Sequence, residues 1–314
     1  MKYRRLGQSG LRVSAIGLGT WLTFGGRVDL NKATELVTRA LDVGINFIDT
    51  ADVYAMGKAE DILGSSLAGI PRKDFVLASK VFFPTGPGPN DKGLSRKHID
   101  ETVHASLSRL RTNYIDLYQC HRYDEETPLQ ETVRAFDDLI RQGKILYWGV
   151  SAWTAEQIEE AVSVADQMGA PRPVSNQPVY SLMKREIEDD VLPTCGKHGL
   201  GILPYSPLAQ GVLTGKYVSG ERPDGTRAAD ERESKFMDPY FGEKQDAQVK
   251  RLVEMAGDCG LRPAQLSLAR LLRRPEVSSV IAGATKVRQV EENAAAADAD
   301  VPAEVLAELD AVFG

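Results

Sequence analysis

The sequence predicts a closed barrel of eight parallel strands wrapped by helices, preceded by an N-terminal hairpin and carrying a long loop after strand 7. Three observations point there. Eight short apolar runs alternate with segments of helical period, and such alternation implies parallel strands joined by crossovers. Eight of them imply closure into a barrel. The length, 314 residues, suits one (β/α)8 or TIM-type barrel, so residues 1–314 are read as a single domain.

Taken in order, residues 3–13 read as the hairpin, because Gly7-Gln8-Ser9-Gly10 supplies turn residues between two extended runs. The first barrel strand is the apolar run 15–19, ending in Thr20 and Trp21. A helix over 31–43 places Ala33, Leu36, Val37, Ala40 and Leu41 at helical spacing, and Gly44 stops it. Strand 46–50, helix 60–67 and strand 75–80 follow. A loop rich in proline and glycine, 84–93, leads to Ser95, which opens a helix with apolar Ile99, Val103, Leu107 and Leu110. Strand 114–121, helix 129–141, strand 145–151, helix 154–168, strand 173–177, helix 186–198 and strand 200–206 continue the alternation. The stretch 207–244 is polar, glycine-rich and aperiodic. It is too long for an idle connector, so it reads as either disordered or a functional lid. Helices 246–259 and 263–273, strand 277–282, and helices 287–296 and 302–313 complete the chain. A doubly wound open sheet is the competing architecture. Gly17-Leu18-Gly19 begins its fingerprint, but Leu22 holds the third glycine position and no long helix follows at once.

Composition narrows the function classes. Hydrophobic residues make up 42% and charged residues 26%, ordinary for a soluble globular protein. A net charge of −6, with no basic face, argues against nucleic acid and anionic membranes as partners. Cys120, Cys195 and Cys259 form no CxxC pair and no cluster at zinc spacing, so neither disulfides nor a metal is expected. Arg4-Arg5 ahead of the run 13–22 loosely mimics an export signal, yet glycines interrupt it and no small-x-small site follows. No run reaches the ~18 apolar residues of a membrane span. A cytoplasmic location is the expectation.

In such a barrel the catalytic face lies where the strands end. Those ends read Thr20 and Trp21, Asp49, Lys80, His121, Ser151, Gln177, Tyr205 and Ser206, then Gly283. Singly, Asp49 is an ordinary helix cap, Lys80 a solvated terminus and His121 a core histidine. Their convergence with Tyr54, in the loop after Asp49, reads as a site. A carboxylate closing a buried strand needs a partner, and Lys80 is the candidate. A phenol titrates near about 10; a Lys80 ammonium beside Tyr54 is expected to lower that value, with Asp49 keeping Lys80 charged. His121 would hold the substrate oxygen. A phenol of this kind protonates a carbonyl oxygen while hydride comes from a nicotinamide cofactor, because no side chain can supply hydride.

With these residues placed, the chain resembles the aldo-keto reductase superfamily, whose barrel carries an Asp-Tyr-Lys-His tetrad. The match rests on Asp49 and Tyr54 in Asp-Thr-Ala-Asp-Val-Tyr, Lys80 in Ala-Ser-Lys, and His121 in Leu-Tyr-Gln-Cys-His, and covers nearly the whole chain. It implies that Tyr54 is the general acid, that Lys80 and Asp49 tune it, and that His121 orients the carbonyl. The runs 17–26, 93–98 and 205–211 are similar to the branch containing voltage-gated potassium channel β subunits and their bacterial reductase relatives. The channel subunits tend to carry asparagine where this chain has His121, so His121 favours the enzymatic side.

The resemblance also implies a cofactor, NADPH, and its contacts. Ser151 and Gln177 would hold the nicotinamide amide, and Tyr205 would stack on its ring. Ser206, Pro207, Leu208, Ala209, Gln210 and Gly211 would wrap the pyrophosphate. Gly283, Thr285, Gln289, Glu292 and Asn293 would hold the adenosine end. Thr20, Trp21 and Asp49 complete the set, with Lys216 and Arg227 as a clamp. Preference for NADPH over NADH rests on the branch and on basic Lys216, Arg227, Lys286 and Arg288. The chain departs from the branch at Ala152, where many relatives are polar or basic, and in a Lys216–Arg227 spacing one residue longer. Trp21, Tyr54, Phe82, Phe83, His121 and Trp153 are expected to line the substrate pocket. The reading is an NADPH-dependent reductase of an aldehyde or ketone. The alternatives are an NADP(H)-binding redox-sensing regulatory subunit with slow turnover, and a lyase or isomerase using Lys80 as a Schiff base. The branch includes tetramers and octamers, so a homo-oligomer is the partner class left open.

Overall fold

Tyr3–Arg5 (β1) and Arg12–Ser14 (β2) pair antiparallel, with Tyr3 opposite Ser14. Gly7 turns the hairpin at φ 55°, and a Cβ there would meet Gly199 O at 2.2 Å; only glycine fits that approach. Leu6 and Val13 on the hairpin pack with Phe47, Val76, Ala78, Leu117, Leu203 and Ile281, which form the apolar filling of the barrel. The computed structural model describes residues 1–223, 225–230 and 234–314.

The eight barrel strands are β3 (Ile16–Gly19), β4 (Phe47–Asp49), β5 (Val76–Val81), β6 (Ile115–Cys120), β7 (Ile145–Ser151), β8 (Ser175–Gln177), β9 (Gly201–Ile202) and β10 (Val280–Gly283). All neighbours run parallel in the order β10-β3-β4-β5-β6-β7-β8-β9. The seam closes through a parallel bridge between Ile202 and Val277. Ile202 N donates to Glu276 O at 2.8 Å, Ser278 N to Ile202 O at 2.9 Å, and Ile281 N to Pro204 O at 2.9 Å. The expected (β/α)8 barrel, with its hairpin and its long connection after the seventh barrel strand, is the fold observed.

Strand side chains alternate between faces, and this fixes the site. Phe47, Val76, Ala78, Leu117, Leu203 and Ile281 share the interior, so the residues two or four positions further on, Asp49, Lys80, Gln119, His121, Tyr205 and Gly283, follow them inward. Apolar filling thus gives way to polar groups toward the strand ends. Helices cover the outside: α1 (Leu30–Asp42), α2 (Lys58–Ser66), α3 (Arg96–Leu110), α4 (Leu129–Arg141), α5 (Ala155–Met168), α6 (Val191–His198), α7 (Glu243–Asp258), α8 (Pro263–Leu271), α9 (Val287–Ala295) and α10 (Ala303–Phe313). Their starts are chemically marked: Asp29 and Ser95 cap α1 and α3 by accepting from Lys32 N and His98 N, and Thr154 forms a capping box with Gln157 on α5.

Three segments differ from the sequence expectation. The strand expected over 200–206 is only Gly201–Ile202, because Pro204 has no N–H to extend the ladder. The helix expected over 186–198 divides into a 3₁₀ turn, Glu186–Glu188, and α6. Asp190 restarts the helix by accepting from Val191 N at 2.5 Å, while Glu188 is held by Arg185 at 3.0 Å and by Arg274. Finally, the described parts of 207–244 are ordered as single 3₁₀ turns, Ala209–Thr214, Val218–Gly220, Arg227–Ala229 and Asp238–Tyr240. Val212, Leu213, Tyr217, Met237 and Tyr240 pack there against Val249 and Leu252 of α7. Positions 224 and 231–233 lie outside the described residues. No described helix is long and apolar enough to cross a membrane.

Candidate active site

Lys80, at the end of β5, is completely buried. Its Nζ donates to Asp49 Oδ2 at 2.7 Å, Thr50 O at 2.7 Å and Tyr54 Oη at 3.2 Å. An ammonium has three donors, and here three oxygens receive them. Tyr54 Oη accepts from Lys80 and finds no acceptor for its own proton among the described residues, so that proton is free for a ligand. Asp49 Oδ1 in turn accepts from Gln177 Nε2 at 2.9 Å.

The loop after β4 brings Tyr54 back over the strand end. Ala55 (φ 49°) and Met56 (φ 54°) are left-handed without being glycine, and Gly57 (φ 85°) opens α2. Such a backbone persists only where the surroundings hold it. The anchor is Glu60, fully buried, which accepts from Ser79 at 2.6 Å, Ser106 at 3.2 Å and Arg109 Nε at 2.7 Å. Ser79 immediately precedes Lys80, so one carboxylate ties the loop to the strand that carries the lysine.

Protonation follows from burial. Tyr54 is held well above the usual phenol range, first by burial and then by the charge of Asp49. Lys80 is lowered by burial, with Asp49 opposing. This corrects the expectation that Lys80 depresses the Tyr54 value: Asp49 at 2.7 Å offsets the ammonium, and burial then dominates. At rest the phenol therefore keeps its proton. His121 is pushed well below its ordinary value by burial, Lys80 and Arg122, so its imidazole is neutral. Its ring stands 5.8 Å from that of Tyr54 and 4.8 Å from that of Phe83, edge-on in both cases.

A cavity of about 970 Å³ opens over these groups. Asp49, Tyr54 and His121 reach it, with Trp21, Phe83, Ser151, Gln177 and Tyr205. So do Ser206, Pro207, Leu208, Gln210 and Gly211 from the strap after β9, then Lys216 and Arg227, then Gly283, Thr285, Lys286, Gln289, Glu292 and Asn293. Five expected residues lie elsewhere. Thr20 is buried beneath the wall, its Oγ1 donating to Thr50 Oγ1 at 2.9 Å. Ala209 faces the cluster under the strap. Phe82 packs behind Phe83, centroids 5.3 Å apart, as the alternation past β5 requires. Trp153 is buried edge-on to Tyr123 at 4.8 Å, because Ala152 turns left-handed at φ 55° and redirects the chain. Arg288, expected near an extra phosphate, is off the cavity and pairs with Glu292 at 2.6 Å.

Several lining residues escaped the sequence reading. Phe236 stands 5.5 Å from Trp21, ring to ring, and sits in the aperiodic stretch, where no pattern marks it. Arg122 could have been found by reading one residue past His121. Arg27 and Arg262 also line the cavity. Its cationic residues are Arg27, Arg122, Lys216, Arg227, Arg262 and Lys286, against the carboxylates Asp49 and Glu292. A cavity of that size and charge balance, with a neutral histidine and a proton-bearing phenol, fits a phosphorylated dinucleotide beside a carbonyl compound. No group of three or more His, Cys, Asp or Glu that could hold a metal occurs among the described residues.

Residues 15–313 match the sequence model of the Aldo/keto reductase family. A probable voltage-gated potassium channel subunit beta of Arabidopsis thaliana is 44% identical over 301 residues, covering 95% of this chain and 92% of that protein. A protein of the same description from Oryza sativa subsp. japonica is 45% identical over 301 residues, with the same shares. A putative voltage-gated potassium channel subunit beta of Schizosaccharomyces pombe is 41% identical over 304 residues, covering 94% of this chain and 88% of that protein.

Proposed function

The chain belongs to the aldo/keto reductase family, and from that premise we propose that it is an NADPH-dependent oxidoreductase reducing an aldehyde or ketone to an alcohol. The observation that carries the reading is the Lys80 ammonium, whose three donors meet Asp49, Thr50 and Tyr54. This leaves the Tyr54 proton directed to whatever oxygen lies in the cavity. NADPH, when bound, supplies the hydride. His121, neutral and beside Tyr54, positions the carbonyl oxygen. Tyr54 donates its proton to that oxygen as negative charge develops there, and the adjacent ammonium stabilises the phenolate that remains. Asp49 keeps Lys80 charged during the transfer. Ser151, Gln177 and Tyr205 would hold the nicotinamide end, Ser206, Pro207, Leu208, Gln210, Gly211 and Lys216 the phosphates, and Gln289, Glu292 and Asn293 the adenosine end. The whole chain, 1–314, acts as one catalytic unit, cytoplasmic and free to self-associate.

The test is carbonyl-dependent oxidation of NADPH by wild type and Tyr54→Phe. Tyr54→Phe should lower kcat on the order of 10²–10⁴-fold while retaining NADPH affinity. Equal activity of the two proteins across several aldehydes would remove Tyr54 from the acid role. A second reading, a redox-sensing regulatory subunit, draws support from the relatives described as voltage-gated potassium channel β subunits. It predicts slow turnover, cofactor that stays bound through purification, and a membrane channel as partner.

A further inference from the structure

We propose that the reaction centre selects carbonyl compounds bearing a carboxylate or phosphate near the carbonyl, with Arg122 receiving that anion. This rests on the reductase reading above and specifies its substrate class. Arg122 follows His121 directly and lines the cavity with Tyr54, Phe83 and His121. Its Nη1 donates to His121 O at 2.5 Å, which fixes the stem. The guanidinium then lies over the Phe83 ring, 5.3 Å from its centroid, and Phe83 is the ring that touches His121.

No described carboxylate pairs with Arg122. The nearby acids are engaged elsewhere: Asp49 with Lys80 and Gln177, Asp124 with Leu94 N and Thr127. Three other cationic groups of the cavity do have partners, Arg262 in Glu292 at 2.7 Å, Arg27 in Asp230 at 3.7 Å, and Arg227 in Gln210. A partly buried guanidinium without a counter-charge is costly. One fixed by a single backbone carbonyl keeps a planar pair of donors, the geometry that takes carboxylate or phosphate bidentately. Its charge reaches the reacting groups, since it favours proton loss at Tyr54, Lys80 and His121 alike. A substrate anion would neutralise that charge only when the carbonyl is in place.

The experiment compares substrates matched except for charge: 4-oxobutanoate with its methyl ester, and glyceraldehyde 3-phosphate with glyceraldehyde. Each is assayed with NADPH on wild type, Arg122→Gln and Arg122→Lys. Wild type should favour the charged member on the order of 10–100-fold in kcat/KM, mostly through KM. Arg122→Gln should collapse the ratio toward unity, and Arg122→Lys should restore part of it. A wild-type ratio near unity overturns the proposal. So does an equal loss on charged and neutral members, which would mark only a field effect on Tyr54. Calorimetric binding of butanedioate, which has no reducible carbonyl, separates the two readings. If no carbonyl is turned over but butanedioate binds about tenfold more weakly to Arg122→Gln, the reductase reading fails and the anion subsite stands. If both proteins bind butanedioate equally, the subsite is wrong whatever the turnover.

Discussion

Asp52, two residues before Tyr54, is buried, and its Oδ2 has no hydrogen-bond partner. Burial, reinforced by the charge of Glu60, raises its carboxyl from 3.8 to about 8, so it is protonated at neutral pH. Between those two values the native state holds a proton that the unfolded chain has lost, so this group makes stability fall as pH rises through the window. Asp52→Asn copies the neutral form. It should raise stability near pH 8 on the order of 1–3 kcal/mol, with the gain vanishing toward pH 4; denaturation curves of both proteins across that range decide, and a pH-independent offset would refute the assignment. The Lys80–Asp49 pair makes the opposite case. Lys80→Met leaves a buried carboxylate alone and should destabilise by about 3–5 kcal/mol. Adding Asp49→Leu should recover much of that in urea titrations without restoring turnover. At this scale the sequence shows which groups meet, because period two carries Phe47 to Asp49, Ala78 to Lys80 and Leu117 to His121 on one face. It does not show the direction in which Tyr54 shifts. That depends on whether burial or the offset charge of Lys80 prevails, a balance set by a 2.7 Å contact between residues 31 positions apart.

The helices and strands divide in the same way between what pattern reveals and what close approach decides. Apolar spacing and caps mark α1, α3, α4 and α5 nearly to their ends, since each signal is local. Pro204 truncates β9 and Asp190 splits the helix before it, and these too are local rules once the right residue is weighted. Helix-on-helix distance is not local. Gly64 sits in α2 where a Cβ would meet Arg109 O at 2.4 Å and Leu110 Cα at 2.8 Å, so α2 and α3 approach backbone to backbone. Gly257, exposed in α7, has nothing within 4 Å of the same position. The two Gly→Ala changes should therefore differ in sign. Gly257→Ala should stabilise by about 0.5–1 kcal/mol through helix propensity. Gly64→Ala should destabilise by several times about that amount, because neither helix backbone can retreat without disturbing Glu60 and the Tyr54 loop. If thermal melts show Gly64→Ala as mild as Gly257→Ala, the tight approach of α2 to α3 is wrong.

Across the whole molecule, the barrel end is a cavity only because the strap after β9 returns over it. Arg27, in the connection after β3, donates to Gly225 O and Thr226 O at 3.1 Å each, and Phe236 meets Trp21. Arg227 reaches Gln210, tying the far part of the strap to its beginning. None of this is periodic, which is why the sequence offered only the choice between disorder and a lid. The contacts span nearly 200 residues, as from Arg27 to Thr226 with a separation of 199, and hold the described strap across the groove in which the dinucleotide would lie. Ligand and strap should accordingly stabilise one another. At a hundred times its Kd, NADPH should stabilise the fold by about 2.7 kcal/mol, and tryptic cleavage after Arg227 should slow in parallel. At the same NADPH concentration Arg27→Ala should raise the dissociation rate on the order of tenfold and cut that gain to about 1.4 kcal/mol, since affinity changes of this kind reside mainly in the off-rate. Stopped-flow release of NADPH, read beside the cleavage time course, tests the coupling. NADPH that stabilises the barrel yet leaves cleavage of the strap unchanged would mean that the strap does not close on the cofactor.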